Sequence, residues 1–266
     1  MLEHLTCLDG VTPIPYALEY DGRWRIDLDG LSRAIGPRAR AVLLVNPNNP
    51  TGSFVTREEL GAVAAICRDR SLALIGDEVF NRYPLETDAA DVPSVLDQKE
   101  ALTFSLGGLS KAAGLPQLKL GWTIVDGPEG LVDEALARLE LICDTYLSVA
   151  TPVQHAVPAL LAVGETVAAQ IAERIRANYR TLQRLAADHA ASRVLHAEGG
   201  WYAVIQVPAT RSEETLVLEL LERDHVLVHP GYFYDFPREA FLVVSLLPDP
   251  DLLCQGVRRV LDRAEQ

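Results

Sequence analysis

Three polar clusters in the first half of the sequence carry side chains able to do chemistry. Asn49 lies in Asn46-Pro47-Asn48-Asn49-Pro50-Thr51-Gly52, and Asp77 opens Asp77-Glu78-Val79-Phe80. Lys111 lies in Ser110-Lys111-Ala112-Ala113-Gly114-Leu115, with Lys119-Leu120-Gly121-Trp122 close behind. A lysine amine can bond to a carbonyl carbon and afterwards carry protons. A carboxylate can hold a cationic ring nitrogen, and an amide can donate to an oxygen. Each residue also has a plainer reading: Asn49 as a turn former, Asp77 as a helix N-cap, Lys111 or Lys119 as a solvated charge. Lys111 stands apart because it follows an apolar run and the Gly107-Gly108 pair. His155 and His229 are paired by nothing in the pattern and read as structural or surface residues.

The elements around these clusters are those of an α/β protein. Ala41 to Val45 is continuously apolar, as expected of a strand buried on both faces, and the Asn/Pro/Gly cluster after it forces a loop. Thr56 and Glu59 fit a capping box, and Leu60, Val63, Ala64 and Cys67 share one helical face. Further runs, Leu72 to Ile75 and Ala101 to Leu106, end at Gly76-Asp77 and Gly107-Gly108. Alternating strands and helices imply a mostly parallel sheet flanked by helices. Ligands of such sheets bind at the carboxyl ends of the strands, where all three clusters lie. Trp122 to Val125 reads as another strand, and Pro152 to His189 as a long helix. Beyond it Trp201 to Val207, Thr215 to Arg223, Val226 to Val228 and Phe241 to Leu246 suggest a smaller α+β unit. The expected division is a large domain over 1–165 and a small C-terminal domain over 166–266.

The 266 residues suffice for a sizeable core, and 48% apolar with 23% charged residues is an ordinary globular balance. A net charge of −13 argues against nucleic-acid or anionic-membrane partners. Cys7, Cys67, Cys143 and Cys254 show no metal-ligand or CxxC spacing, so no metal is expected and the thiols read as reduced. No uninterrupted apolar stretch is long enough to span a bilayer, and the first residues lack a signal-peptide pattern. The expected location is the cytoplasm.

In this order and spacing the three clusters resemble the active-site motifs of the class I/II aminotransferases, the fold type I enzymes dependent on pyridoxal 5'-phosphate (PLP). The resemblance extends over nearly the whole chain. It implies that Lys111 forms the Schiff base with the cofactor and that Asp77 faces the pyridine nitrogen. It further implies that Asn49 donates to the phenolic oxygen and that Lys119 stands near the phosphate, where the family usually has arginine. Phe80 takes the place of a tyrosine that also donates to the phenolic oxygen in many members. A Schiff base that stays protonated to higher pH is the expected consequence. Gly108 replaces a serine that often contacts the phosphate, and Lys119 lacks the bidentate fork of arginine. Val243 occupies the place of the arginine that grips the substrate carboxylate, which leaves Arg238 as the candidate cation. Family members also carry an N-terminal part with a phosphate loop and a ring-stacking aromatic, and this sequence has no counterpart to it.

The implied activity is transfer of an amino group between an amino acid and a 2-oxo acid, in a homodimer. Two alternatives stay open: a β-eliminating PLP lyase on the same scaffold, and a non-catalytic remnant of the fold.

Overall fold

A computed structural model describes residues 2–86, 92–146 and 148–266. In chain order the elements are α1 (Leu2–Leu8), β1 (Leu18–Tyr20), β2 (Trp24–Ile26), α2 (Leu28–Ala34), β3 (Ala41–Val45), α3 (Arg57–Asp69) and β4 (Ala73–Asp77). Next come β5 (Thr103–Gly108), α4 (Leu109–Ala112), β6 (Gly121–Asp126), α5 (Glu129–Thr145) and α6 (Thr151–Ala187). The C-terminal part holds β7 (Arg193–Val194), β8 (Tyr202–Gln206), α7 (Glu213–Asp224), β9 (His229–Pro230), β10 (Phe241–Ser245) and α8 (Pro250–Ala264).

The first sheet has the order β3-β4-β5-β6. β3, β4 and β5 run parallel, while β6 returns antiparallel to β5. The reading of a mostly parallel sheet therefore holds, with an antiparallel edge strand. Thr56 caps α3 through the reciprocal box with Glu59, satisfying two of the orphan donors at the helix start. Leu60, Val63 and Cys67 then point into a core with Val42, Leu44 and Leu74. Burying each such aliphatic side chain contributes roughly 2 kcal/mol. The strands are not buried on both faces. Only Val42 and Leu44 of β3 are fully covered, whereas Leu43 and Val45 on the opposite face are partly open.

The second sheet, β7-β8-β10-β9, is antiparallel throughout. One of its faces, with Ala203, Ile205, Leu242 and Val244, joins Ile175, Leu182, Leu220, Val257 and Leu261 from α6, α7 and α8 in the largest core. Phe80 and Tyr83 from the first half belong to that same core. The other face places Val204 and Val243 against Trp24 of the β1–β2 hairpin. Val226 to Val228 is not a strand. His225 ends α7 in a left-handed conformation, φ 56°, and the Val226 N–H bonds back to the Leu220 carbonyl at 3.0 Å. That stretch finishes the helix, and pairing begins only at His229.

Helix α6 runs 37 residues, contains residue 165, and by length and composition alone could cross a bilayer. Its buried stripe, which includes Gly164, Ala168, Ala172 and Ile175, packs on protein. Gly164 lets α6 approach α4, because a Cβ there would lie 2.6 Å from the Ala113 Cβ and 3.1 Å from its Cα. Gly164→Val is expected to destabilise the chain by about 1–3 kcal/mol through overpacking against this backbone. Denaturant unfolding checks it; an unchanged midpoint rules out the tight contact.

Candidate active site

Because β3, β4 and β5 are parallel and in register, their carboxyl ends open on one edge. Val45 lies opposite Asp77, and Asp77 opposite Leu106. The loop after β3, the end of β4 and the β5–α4 turn therefore meet there.

The first loop is fixed by its own polar groups. The buried Asn46 amide donates to the Pro93 carbonyl at 2.8 Å and accepts from the Val55 N–H at 3.0 Å. The Thr51 hydroxyl donates to Asn48 Oδ1 at 2.9 Å. Asn46-Pro47 and Asn49-Pro50 are cis. The Gly52 carbonyl accepts from the N–H groups of Glu198 and Gly199 at 2.9 and 2.8 Å, which ties this loop to the C-terminal part. Gly52 has φ +71°, and a Cβ there would meet the Gly199 carbonyl oxygen at 2.7 Å, so glycine is required on both grounds. Asn49 itself is exposed. With Asn48, Pro50, Phe80 and Trp201 it lines a narrow cleft.

Asp77 ends β4 half-buried and, among the described residues, its carboxylate takes only a long hydrogen bond from the Val79 N–H at 3.3 Å. Turn residues follow it, so it starts no helix and the simple N-cap reading falls away. Its neighbour Glu78 is buried and fully engaged. The carboxylate accepts from Ser94 Oγ at 2.8 Å, the Val95 N–H at 2.8 Å and Ser105 Oγ at 2.6 Å. Adjacent acids thus do different work: Glu78 fastens three segments together, and Asp77 is left with capacity to spare.

Lys111 is the third residue of the short helix α4. Its ammonium lies 4.7 Å from the Trp201 ring centroid and 5.1 Å from that of Phe80. The two rings meet edge to face at 5.2 Å, and Tyr83 packs on Trp201 in the same way at 5.0 Å. The Tyr83 hydroxyl donates to the Lys111 carbonyl. Burial pushes the Lys111 amine below the ordinary lysine range, with attraction to Asp77 as the smaller, opposing cause. Burial likewise raises the Asp77 carboxyl, opposed by the Val79 N–H and by Lys111. The two groups feel each other, yet each is held with its charge disfavoured, as groups at reactive sites often are.

Stability follows with a definite sign. Folded Lys111 sheds its proton earlier than the unfolded chain does. Its contribution therefore rises with pH between its lowered value and the ordinary lysine range. Lys111→Met is expected to erase that rise, so the variant's advantage in Tm shrinks as the pH climbs toward the ordinary lysine range. A difference independent of pH would contradict the assignment.

Of the other residues singled out by sequence, Lys119 is exposed and left-handed (φ 51°), just before β6. Gly108 is extended, and a Cβ there would press on the Leu120 carbonyl oxygen at 3.2 Å, a tight fit for the serine of the motif. Val243 is buried with Trp24, Leu195, Val204 and Phe241. Arg238 is exposed, its guanidinium 5.5 Å from the Phe241 ring centroid. His155 is exposed; His229, read as unpaired, shares a hydrogen bond with the Tyr234 hydroxyl at 2.8 Å. The four cysteines are free, and no cluster of metal-ligating side chains occurs among the described residues.

A flat, aldehyde-bearing group with a ring nitrogen fits the amine, carboxylate and amide that are present. The amine, the carboxylate and the amide rim one strand edge, and the Trp201 indole N–H beside them is buried without a protein partner. In the sequence Trp201 marks only the start of a strand, because its contact with Lys111 spans ninety residues.

Comparison with known proteins identifies the family. Residues 2–257 match the model of the aminotransferase class I and II family, and the chain belongs to that family. Glutamate-pyruvate aminotransferase AlaA of Escherichia coli K12 is 25% identical over 244 residues, covering 90% of this chain and 60% of that protein. Alanine aminotransferase of Mycobacterium tuberculosis H37Rv is 26% identical over 265 residues, covering 96% and 61%. The chain thus spans about 60% of the length of these relatives. Its fold matches an Escherichia coli aminotransferase with a TM-score of 0.88 at 22% identity, covering 99% of this chain and 66% of that one. An alanine aminotransferase from Pyrococcus furiosus gives 0.84 at 23%, covering 98% and 67%. The architecture is that of the fold type I aminotransferases, and the cofactor of the family is PLP.

Proposed function

We propose that this chain carries the lysine and the ring-binding residues of a PLP-dependent aminotransferase, moving an amino group between an amino acid and a 2-oxo acid. The observation that supports it best is the half-buried Lys111 amine, coupled to Asp77 and walled by Phe80 and Trp201 at one strand edge. The cofactor, when bound, supplies a carbonyl for the lysine and an electron-accepting ring. Lys111 Nζ is the attachment point and, once free, the group that moves the substrate Cα proton. Burial favours the neutral amine that this task needs. With the cofactor bound, Asp77 would hold a proton on the ring nitrogen and the Asn49 amide would donate to the ring oxygen. Lys119 is the cation proposed for the phosphate. Residues 1–165 hold the cofactor in this reading, and a second copy of the chain completes the assembly. Alanine, glutamate and pyruvate, from the names of the relatives, are the first substrates to assay.

The test needs no substrate. The chain is incubated with PLP, reduced with borohydride and digested, and the pyridoxyl group is located by mass spectrometry. Of the three lysines, Lys99, Lys111 and Lys119, only Lys111 is expected to carry it. Labelling elsewhere, or none, overturns the reading. Pyruvate released from an amino acid without an oxo-acid acceptor would favour the lyase instead.

A further inference from the structure

We propose that Trp201 is a positioning residue for Lys111: its ring face, with that of Phe80, holds the free ammonium at the strand edge whenever the amine is not bonded to a carbonyl. The inference rests on the reading of Lys111 as the attachment lysine.

The geometry carries it. Both ring centroids lie within the roughly 6 Å over which a cation is drawn to an aromatic face. The indole is fixed by packing, buried and edge to face with Phe80 and Tyr83. Its N–H finds no acceptor among the described protein groups, so no hydrogen bond orients the ring. The backbone holds the other end. Gly200 N–H donates to the Tyr83 carbonyl at 2.9 Å, and a Cβ on Gly199 would strike the Phe54 ring at 2.6 Å. This segment therefore sits as close to the first-half loops as glycines allow.

The problem solved is one of retention. A lysine released during a catalytic cycle has four rotatable bonds and a nearby solvent. Phe80 lacks the hydroxyl that a tyrosine would offer the site, but its face still attracts a cation. The titratable groups around Lys111 are Asp77 at the end of β4 and the neutral Tyr83, whose hydroxyl is committed to the Lys111 carbonyl. Beside Tyr83, Arg82 is neutralised by an ion pair with Glu165 of α6, while Val167 and Ile171 of α6 face Gly114. The aromatic faces favour the ammonium and burial opposes it, so the two effects can be separated by substitution.

The experiment is competitive amine acylation of the full chain across pH without cofactor, with Lys99 and Lys119 as internal references and mass spectrometry as readout. Trp201→Leu keeps an apolar wall and removes the ring face. The midpoint of Lys111 labelling is expected to fall by roughly half to one pH unit, a three- to tenfold rise in relative labelling on the acid side. Trp201→Phe should restore most of the shift. A packing role alone would instead open the site to water, leaving the midpoint unchanged or raising it, and either result overturns the proposal. If Trp201→Leu fails to fold, Phe80→Leu reads the second face and should move the midpoint in the same direction. No PLP is used, so an absent pyridoxyl label at Lys111 would sink the enzymatic reading while leaving this result standing.

Discussion

Lys111→Ala is expected to remove the pyridoxyl label and to lower amino-group exchange by at least about 10³-fold. Neither of the other two lysines is placed to substitute. Lys99 is engaged with Asp126, far along β6, and Lys119 is exposed beyond the helix that carries Lys111. Lys111→Arg is expected to be as inactive, since a guanidinium keeps the charge but cannot become a neutral nucleophile near neutral pH. That pair separates the chemistry of the amine from its charge. Exchange measured with alanine and 2-oxoglutarate, alongside label location, checks it. Retained exchange in Lys111→Arg would leave the residue with only an electrostatic part.

Glu78→Ala should have the largest effect on stability, about 2–4 kcal/mol, because it leaves the Ser94, Val95 and Ser105 donors unpaired in a buried place. For a chain of this size that corresponds to a fall in Tm of roughly 5–15 °C. Glu78→Gln keeps an acceptor oxygen, and the serine hydroxyls can turn, so about 1 kcal/mol is expected. Asp77→Asn should leave the melting curve nearly unchanged or raise it, because burial already disfavours that carboxylate. In the sequence only the family resemblance separates these two adjacent acids; their side-chain types and position do not. If Asp77→Asn melts like Glu78→Ala, Asp77 is a fastening residue too, and the division of labour proposed for them fails.

Much of the first sheet was legible because its signals are local. Thr56 and Glu59 are three residues apart, and the apolar runs ending at Val45, Ile75 and Leu106 each stop at a turn former. The strand edge as a meeting place followed from parallel order alone. Elements of other kinds stayed hidden. β1 and β2 have three residues each, too short for alternation to register. α8, absent from the elements expected above, does carry a readable stripe, Leu253, Val257, Val260, Leu261 and Ala264. Its spacing is the signal that would have found it. Trp201 belongs to a different class of omission. Nothing near it in sequence marks it as a neighbour of Lys111; only folding brings residues 80, 111 and 201 together. Val226 to Val228 shows the opposite error, an apolar triplet with β-branched residues that the end of α7 uses for its own hydrogen bonding.

The length of α6 has a mechanical consequence. At about 1.5 Å per residue the rod extends roughly 55 Å, with Gly164 resting on Ala113 a third of the way along. From that fulcrum to Ala187 is about 35 Å, so a tilt of only about 5° swings the far end by about 3 Å. Trp201 does not ride free on that far end: the Glu198 and Gly199 N–H bonds to the Gly52 carbonyl and the Gly200 N–H bond to the Tyr83 carbonyl pin its segment to the first-half loops, so a tilt of α6 would have to break them before the indole could leave the amine.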